Sequence, residues 1–422
     1  METHLAQWLQ GTPEGDEAQA ILRRCVHCGF CTATCPTYQL LGDERDGPRG
    51  RIYLIKAVVE GETPGDSTRE HLDRCLTCRN CETTCPSGVQ YGRLVDIGRE
   101  LVERQTRRPL RARLLRGVLR ETLTRPALFG PALRLGQSVR GLLPKRLRDK
   151  VPARRAAGPW PSAEHRRKVL MPAGCVQPAM IPAIDAACAR VLDRLGIQVV
   201  RPKSSGCCGA IRQHLSDAEG ARAEARRNIE QWWPYLEQGV EAILINASGC
   251  AVMVKDYAHL LRDDPQWSER ATRVVERVRD ISEWLPEELE RHWQANGLPD
   301  PEPAAAAGLV FHPPCTLQHG QQRRGQVERT LSRLGAQVQP IADAHLCCGS
   351  AGTYSVLQPE LSEQLRGRKL TALQAAAPAM ILSANIGCIA HLQAGTETPV
   401  RHWVEWLDGL GESLVLSPAV AD

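Results

Sequence analysis

Cys25-Val-His-Cys-Gly-Phe-Cys-Thr-Ala-Thr-Cys-Pro36 and Cys75-Leu-Thr-Cys-Arg-Asn-Cys-Glu-Thr-Thr-Cys-Pro86 are two copies of one pattern, C-x2-C-x2-C-x3-C-P. Such a run holds iron–sulfur clusters, and its fourth cysteine ligates the other cluster of a pair. Three thiolates separated by two-residue gaps wrap a tight loop around one cube. The longer last gap aims the fourth sulfur away, and the proline ends the loop. Crossed ligation therefore assigns Cys25, Cys28, Cys31 and Cys85 to one 4Fe-4S cluster, and Cys35, Cys75, Cys78 and Cys81 to a second. The competing reading is zinc. A four-cysteine zinc site needs only two C-x2-C knuckles, which leaves the mid-run cysteine and the proline unexplained. His27, inside the first run, is read either as a tuner of cluster potential or as a partly exposed loop residue.

The segments flanking these runs are helical in pattern. Residues 17–24 and 68–74 lead into them, and 51–60 and 93–103 follow. Nothing between them alternates with the period of a half-buried strand, so the spacing predicts a helical ferredoxin module. Aromatic residues are only 4% of the 422-residue chain, and the apolar fraction is 42%. That composition allows a sizeable core and leans towards helix and α/β architecture.

The other nine cysteines lie beyond residue 166, in a region that repeats itself. Cys175 stands 32 residues before Cys207-Cys208-Gly209, and Cys315 stands 32 before Cys347-Cys348-Gly349. A β-like run precedes each first cysteine (Val169-Leu-Met171, Leu309-Val-Phe311). A helical segment then ends in a shared phrase, Leu192-Asp-Arg-Leu-Gly196 or Leu331-Ser-Arg-Leu-Gly335. Later, Ala242-Ile-Leu-Ile-Asn-Ala-Ser-Gly-Cys250 matches Met380-Ile-Leu-Ser-Ala-Asn-Ile-Gly-Cys388. Short strands alternating with longer helices read as βαβ units around a parallel sheet. Open α/β sheets carry their sites at strand C-terminal ends, where the Gly-Cys phrases fall. The glycine after each Cys-Cys pair suits a sharp turn that brings both sulfurs to one centre.

Cys175, Cys207, Cys208, Cys250, Cys315, Cys347, Cys348 and Cys388 are thus candidates for a third metal centre, or for two. The alternative is thiols packed as small hydrophobes; matched spacing argues against that for all eight, though not for one repeat alone. Cys188 lies outside the pattern and is expected to pack. The chain reads as an α+β multidomain protein, an N-terminal α-helical ferredoxin module followed by two duplicated α/β repeats. The expected divisions are residues 1–100 (the two-cluster module), 101–166 (a basic connector), 167–300 (first repeat) and 301–422 (second repeat).

Charge is concentrated in the connector. The whole chain carries a formal +5, but from Arg104 to Arg148 thirteen Arg or Lys face a single acid, Glu121. Such a block suits an acidic partner or lipid headgroups. Leu110, Leu114, Leu115, Val118 and Leu119 are spaced like one helix face. They read equally as an amphipathic helix at a membrane or partner surface and as a linker helix packed on its own domain. Aromatics do not interleave the charges, so a nucleic-acid role is not expected. No run of residues is long and apolar enough for a transmembrane helix. The polar first residues and the many cysteines suggest a reducing, cytoplasmic location. Phosphate loops, nucleotide fingerprints and Ser/His/Asp groupings are missing from the sequence, so the chain is not expected to oxidise a substrate alone.

At this point the residues resemble a known family. The two cysteine runs, Asp46-Gly-Pro-Arg-Gly-Arg-Ile52 and His345-Leu-Cys-Cys-Gly-Ser-Ala-Gly-Thr353 resemble the iron–sulfur subunits of bacterial glycolate oxidase, a glycolate dehydrogenase. The likeness spans nearly the whole chain and weakens in the basic middle. It implies FAD-binding partner subunits that oxidise glycolate to glyoxylate. Electrons would pass from that FAD through this chain towards a quinone, at the cytoplasmic face of the inner membrane. The repeats resemble the cysteine-rich CCG domains of heterodisulfide reductases, whose fullest form ends each repeat in C-x2-C. Here Met253 and His391 stand at those last positions, which puts paired non-cubane clusters in doubt; His391 and His319 are read as structural before they are read as ligands. Alternatives in keeping with the same motifs are service to lactate or glycerol-3-phosphate dehydrogenase, or a disulfide or heterodisulfide reductase centred on the repeats.

Overall fold

The computed structural model describes residues 1–142, 144, 148, 151–204, 206–299 and 308–415. Most of the end of the basic stretch, the boundary expected at 300/301 and residues 416–422 fall outside them. Among the described residues the N-terminal part is entirely helical: Pro13–Arg24, Phe30–Ala33, Pro36–Leu41, Pro48–Val59, Asp66–Asp73, Asn80–Thr84 and Tyr91–Gln105. Thr12 caps the first helix, its Oγ1 accepting from Gly15 N at 3.1 Å. Pro13, Pro36 and Pro48 each open a helix, where a missing N–H costs nothing. Pro36 therefore does what its place in the motif suggests: it ends the cysteine loop and restarts the chain as helix. Ile21, Leu22, Ile55, Val59, Leu72, Leu94 and Leu101 form the module's core. Helices Pro48–Val59 and Tyr91–Gln105 touch where a Cβ on Gly98 would stand 2.6 Å from Ile55 Cγ1.

Each repeat is a four-stranded parallel sheet. The first contains β1 (Arg167–Leu170), β2 (Ile197–Val200), β3 (Ile243–Ile245) and β4 (Val278–Asp280), in the order β2-β1-β3-β4. The second contains β5 (Leu309–His312), β6 (Val338–Gln339), β7 (Met380–Ser383) and β8 (Val400–His402), in the order β6-β5-β7-β8. The registers correspond: Val169 pairs with Val199, and Leu309 with Val338. In this order the direction of travel reverses between the first and third strand of each sheet, the switch point where doubly wound sheets open a crevice.

The two repeats share one core. Val169, Leu244, Ile281 and Leu285 of the first pack in the same cluster as Val310, Ile381, Trp403 and Leu407 of the second. Helices are exchanged reciprocally. Ala183–Arg194 of the first repeat packs on Trp403–Gly409 of the second, and Ile281–Asn296 on Gln326–Arg333. Arg190 and Arg194 hold Asp408 across the first of these contacts. This is the self-complementary logic of a two-fold dimer, written into one chain.

The connector helices Leu110–Leu123 and Pro126–Ser138 have no buried residue. Their polarity is turned inside out. Arg108 and Arg116 bind Asp73, and Arg120 lies beside Asp217. Leu110 (67% exposed), Leu114, Val118 and Leu135 (68%) face outward. No helix among the described residues is long and apolar enough to cross a membrane.

Candidate metal centres

All seventeen cysteines are free thiols, and sixteen of them gather into four sets. Around the first pocket stand Cys25, Cys28, Cys31 and Cys85, with Cys81 also on its wall. Around the next stand Cys35, Cys75, Cys78 and Cys81. Each set offers four sulfurs to one small pocket, the donor chemistry a 4Fe-4S cluster takes. The loops achieve this with matched strain: His27 and Thr77 (φ 56° and 53°), then Gly29 and Arg79 (φ 85° and 57°), are left-handed at equivalent positions. Left-handed backbone at a non-glycine residue is costly and marks a site that over-determines it. Burial pushes the Cys31 thiol up to about 11, and a bound cation would favour its thiolate.

A buried polar network backs the second set. Arg51, 1% exposed, donates to His71 O (2.7 Å), Thr37 Oγ1 (3.1 Å) and Asp46 Oδ1 (3.3 Å). His71 Nδ1 lies 3.0 Å from Asp46 Oδ1, and Arg74 donates to Asp46 Oδ2 at 3.0 Å. Burial opposes the Arg51 charge, yet Tyr91, Cys75, Cys35 and Asp46 around it hold its pKa above the usual value. Tyr91 Oη points at Cys75 Sγ (3.6 Å), and Thr37 Oγ1 is 3.3 Å from Cys35 Sγ. Sequence reasoning used the phrase 46–52 only as a family marker. Its structural job is to seat a guanidinium beside two thiols.

The repeats build the other two sets. Cys175 is within hydrogen-bonding reach of Cys207, Cys207 of Cys208, and Cys208 of Cys250. The second repeat matches, from Cys315 to Cys347 (Sγ to Sγ 3.8 Å), to Cys348, to Cys388. Gly209 and Gly349 are left-handed (φ 92° and 88°), and their amides donate to Cys207 Sγ (3.4 Å) and Cys347 Sγ (3.5 Å). A Cβ on Gly349 would stand 2.6 Å from Ser362 O, so the turn admits only glycine. Cys250 and Cys388 sit in the first turns of helices Ser248–Lys255 and Ile386–Gln393, just past β3 and β7. All eight thiols face one cavity of about 1560 Å³, which Cys78 also lines.

The remaining sequence candidates resolve differently. His319 bonds Thr83 Oγ1 and His345 O, both at 2.9 Å, and fastens the helical module to the second repeat. His391 Nε2 meets Ser362 Oγ at 3.3 Å, and Met253 packs against Gly209. Cys188 is fully buried in the core, with Asn246 Nδ2 3.7 Å from its sulfur. His27 is half-buried with its ring edge towards Tyr53. His312, next after the β-like run Leu309-Val-Phe311 and not singled out in the sequence, lies buried beside Cys348 and Cys388.

The module and the repeats meet at the thiols themselves. Cys78 of the module and Cys315 of the second repeat both pack against a small cluster that includes Leu76, Cys347 and Tyr354. Asn80 Nδ2 bridges Thr34 O (2.9 Å) and His345 O (3.2 Å). Gly249 N donates to Asn385 Oδ1 (3.3 Å), joining the Gly-Cys turns of the two repeats.

A helical module with two crossed cysteine sets, joined to a duplicated cysteine-lined α/β unit, defines an iron–sulfur protein. Residues 21–89 match the 4Fe-4S dicluster domain family, and residues 169–255 and 309–393 match the cysteine-rich domain family. The chain is 52% identical to the glycolate oxidase iron-sulfur subunit of Escherichia coli, over 96% of this chain and 98% of that one. It is 30% identical to the probable glycolate oxidase iron-sulfur subunit of Bacillus subtilis, over 89% of each. Lactate utilization protein A of Bacillus licheniformis is 25% identical over 50% of this chain and 83% of its own. The chain belongs to the family of glycolate oxidase iron–sulfur subunits.

Proposed function

We propose that this chain is the electron-transfer subunit of a glycolate dehydrogenase, carrying electrons from an FAD-bearing partner that makes glyoxylate towards a quinone. The observation that carries this reading is that Cys78 and Cys315 pack against one small apolar cluster that contains Cys347, on the wall of the cavity all three line. It turns four thiol sets into one line, from the exposed Cys28 to the cavity between the repeats. Residues 1–100 would hold two 4Fe-4S clusters: Cys25, Cys28, Cys31 and Cys85 the first, Cys35, Cys75, Cys78 and Cys81 the second. Residues 167–300 and 301–422 would add iron–sulfur centres on their own thiols, with 101–166 as the connector. Bound clusters supply one-electron redox chemistry; the protein positions them and shields them from water.

Both ends of the line suit a partner. Val26, Phe30 and Tyr53 are more than 60% exposed around Cys28, an apolar rim on which a flavoprotein can dock. At the other end, Leu123, Phe129 and Leu133 of the connector helices form part of the cavity wall. Outside that wall lie the exposed leucines, with Arg111, Arg113, Arg125 and Arg134 exposed among them. Leucine and arginine on one face suit an anionic bilayer. A quinone would then enter from lipid without crossing water. Reconstitution with the flavoprotein should restore glycolate oxidation coupled to dye or quinone; no stimulation by a chain with intact clusters would end this reading.

A second reading draws on the cavity beside the two Cys-Cys-Gly turns, which has room for a small disulfide. Thiol–disulfide turnover by the isolated chain would mark that activity, and an electron-transfer subunit shows none.

A further inference from the structure

We propose that His312 is a nitrogen ligand in the iron centre that Cys348 and Cys388 help to hold, so that the second repeat's centre has mixed thiolate–imidazole coordination and the first repeat's does not. The inference rests on the reading that the repeats hold iron. His312 ends β5 at its C-terminal edge and is 1% exposed. Its main chain is satisfied, the carbonyl accepting from Ser383 Oγ at 3.0 Å. Its imidazole is not: neither Nδ1 nor Nε2 has a hydrogen-bond partner among the described residues. A buried ring with both nitrogens unmet is rare, because such groups pair with protein or water or bind something else. One ring nitrogen, Cys348 Sγ and Cys388 Sγ all lie within 4.8 Å of one another. A tetrahedral metal with bonds of about 2.0 Å to nitrogen and about 2.3 Å to sulfur spaces its donors by roughly 3.5–3.8 Å. The three atoms, within 4.8 Å of one another, are gathered somewhat more loosely than that and face one metal centre together.

The duplication supplies an internal comparison. His312 stands three residues before Cys315, and the residue three before Cys175 is Pro172. Proline offers no side-chain donor, so the two centres differ in kind although their thiols match one for one. Replacing thiolate by neutral imidazole removes negative charge from the iron and raises its potential, as in clusters where histidines replace cysteines. The second centre would thus be easier to reduce than the first, and the pair would have a built-in direction.

Mössbauer spectroscopy on the full-length, anaerobically purified, 57Fe-enriched protein sees every iron, whatever its spin state. The expected result is one iron site distinct from the all-thiolate irons, lost in His312→Ala and unchanged in Pro172→Ala. Pulsed EPR on protein labelled with 15N-histidine should show a directly bound nitrogen that His312→Cys abolishes while keeping the iron count. Wild-type protein with iron beyond the N-terminal pair but only all-thiolate sites would overturn this inference alone. Protein with no iron beyond that pair would overturn both it and the reading it rests on. Because the wild-type spectrum decides, a variant that fails to fold does not rescue the idea.

Discussion

Replacing Arg51 with methionine keeps much of the side chain's bulk and removes its charge and its donors. His71 O then loses a 2.7 Å donor inside the module, and Asp46 loses one of two arginines. Breaking a buried ion pair from one side costs about 3–5 kcal/mol. Arg74 still holds Asp46, so the low end, about 3 kcal/mol, is expected. In urea that lowers the concentration needed for half-loss of cluster absorbance by roughly 1–2 M. The charge also acts on the second cysteine set, since Cys75 and Cys35 are among its nearest electrostatic partners. At an effective dielectric constant of about 20, a unit charge several ångströms away is worth roughly 2–4 kcal/mol. For one electron that is on the order of 100 mV, downward, because a cation favours the more negative reduced state. EPR-monitored redox titration of the whole protein reads the shift, and Arg51→Lys separates charge from fork geometry by restoring most of the potential but less of the stability. An unchanged potential in Arg51→Met, with the cluster still present, would refute the claim that this network tunes the second set.

Crossed ligation is tested by Cys35→Ser, which should remove the cluster of Cys75, Cys78 and Cys81 while sparing that of Cys25, Cys28 and Cys31; iron analysis with EPR tells which signal goes. His402 is fully buried, and burial lowers its pKa to about 3. The unfolded chain takes up a proton below about pH 6.5 that the native ring refuses, so stability is full above that value and falls as pH drops. His402 alone should cost about 2 kcal/mol between pH 7 and 5, and His402→Asn, which keeps an acceptor for Val404 N, should flatten that part of a urea-denaturation pH series. Leu114→Asp should weaken cosedimentation with anionic phospholipid vesicles at least about tenfold, given about 1.5–3 kcal/mol for burying a leucine; equal binding by wild type and variant would argue against lipid as the surface these helices meet.

Most of the site's first layer was readable because it is local. The cysteine runs and the duplicated Cys-Cys-Gly turns are encoded in spacing, and the helices and parallel strands around them follow from periodicity. What spacing could not show are contacts made across the fold. Arg51 reaches the main chain of His71, and Asn80 reaches His345, through separations that carry no local signal. The stripe of leucines in Leu110–Leu123 predicted an amphipathic helix correctly but not its orientation. Asp73 and Asp217 draw Arg116 and Arg120 inward, and that choice belongs to residues far along the chain. His312 was hidden for another reason, since a buried residue ending an apolar run looks like any strand residue. Its mismatch with Pro172 is the difference between the repeats that marks it out.

The most direct test of the central claim is the iron and acid-labile sulfide content of the anaerobically purified chain, measured together with zinc. The helical module alone would hold about eight irons in two 4Fe-4S clusters. With the repeats loaded, about twelve or more irons and a matching amount of sulfide are expected. Eight irons or fewer, or zinc in place of the excess, would contradict a relay that continues from Cys78 into the repeats.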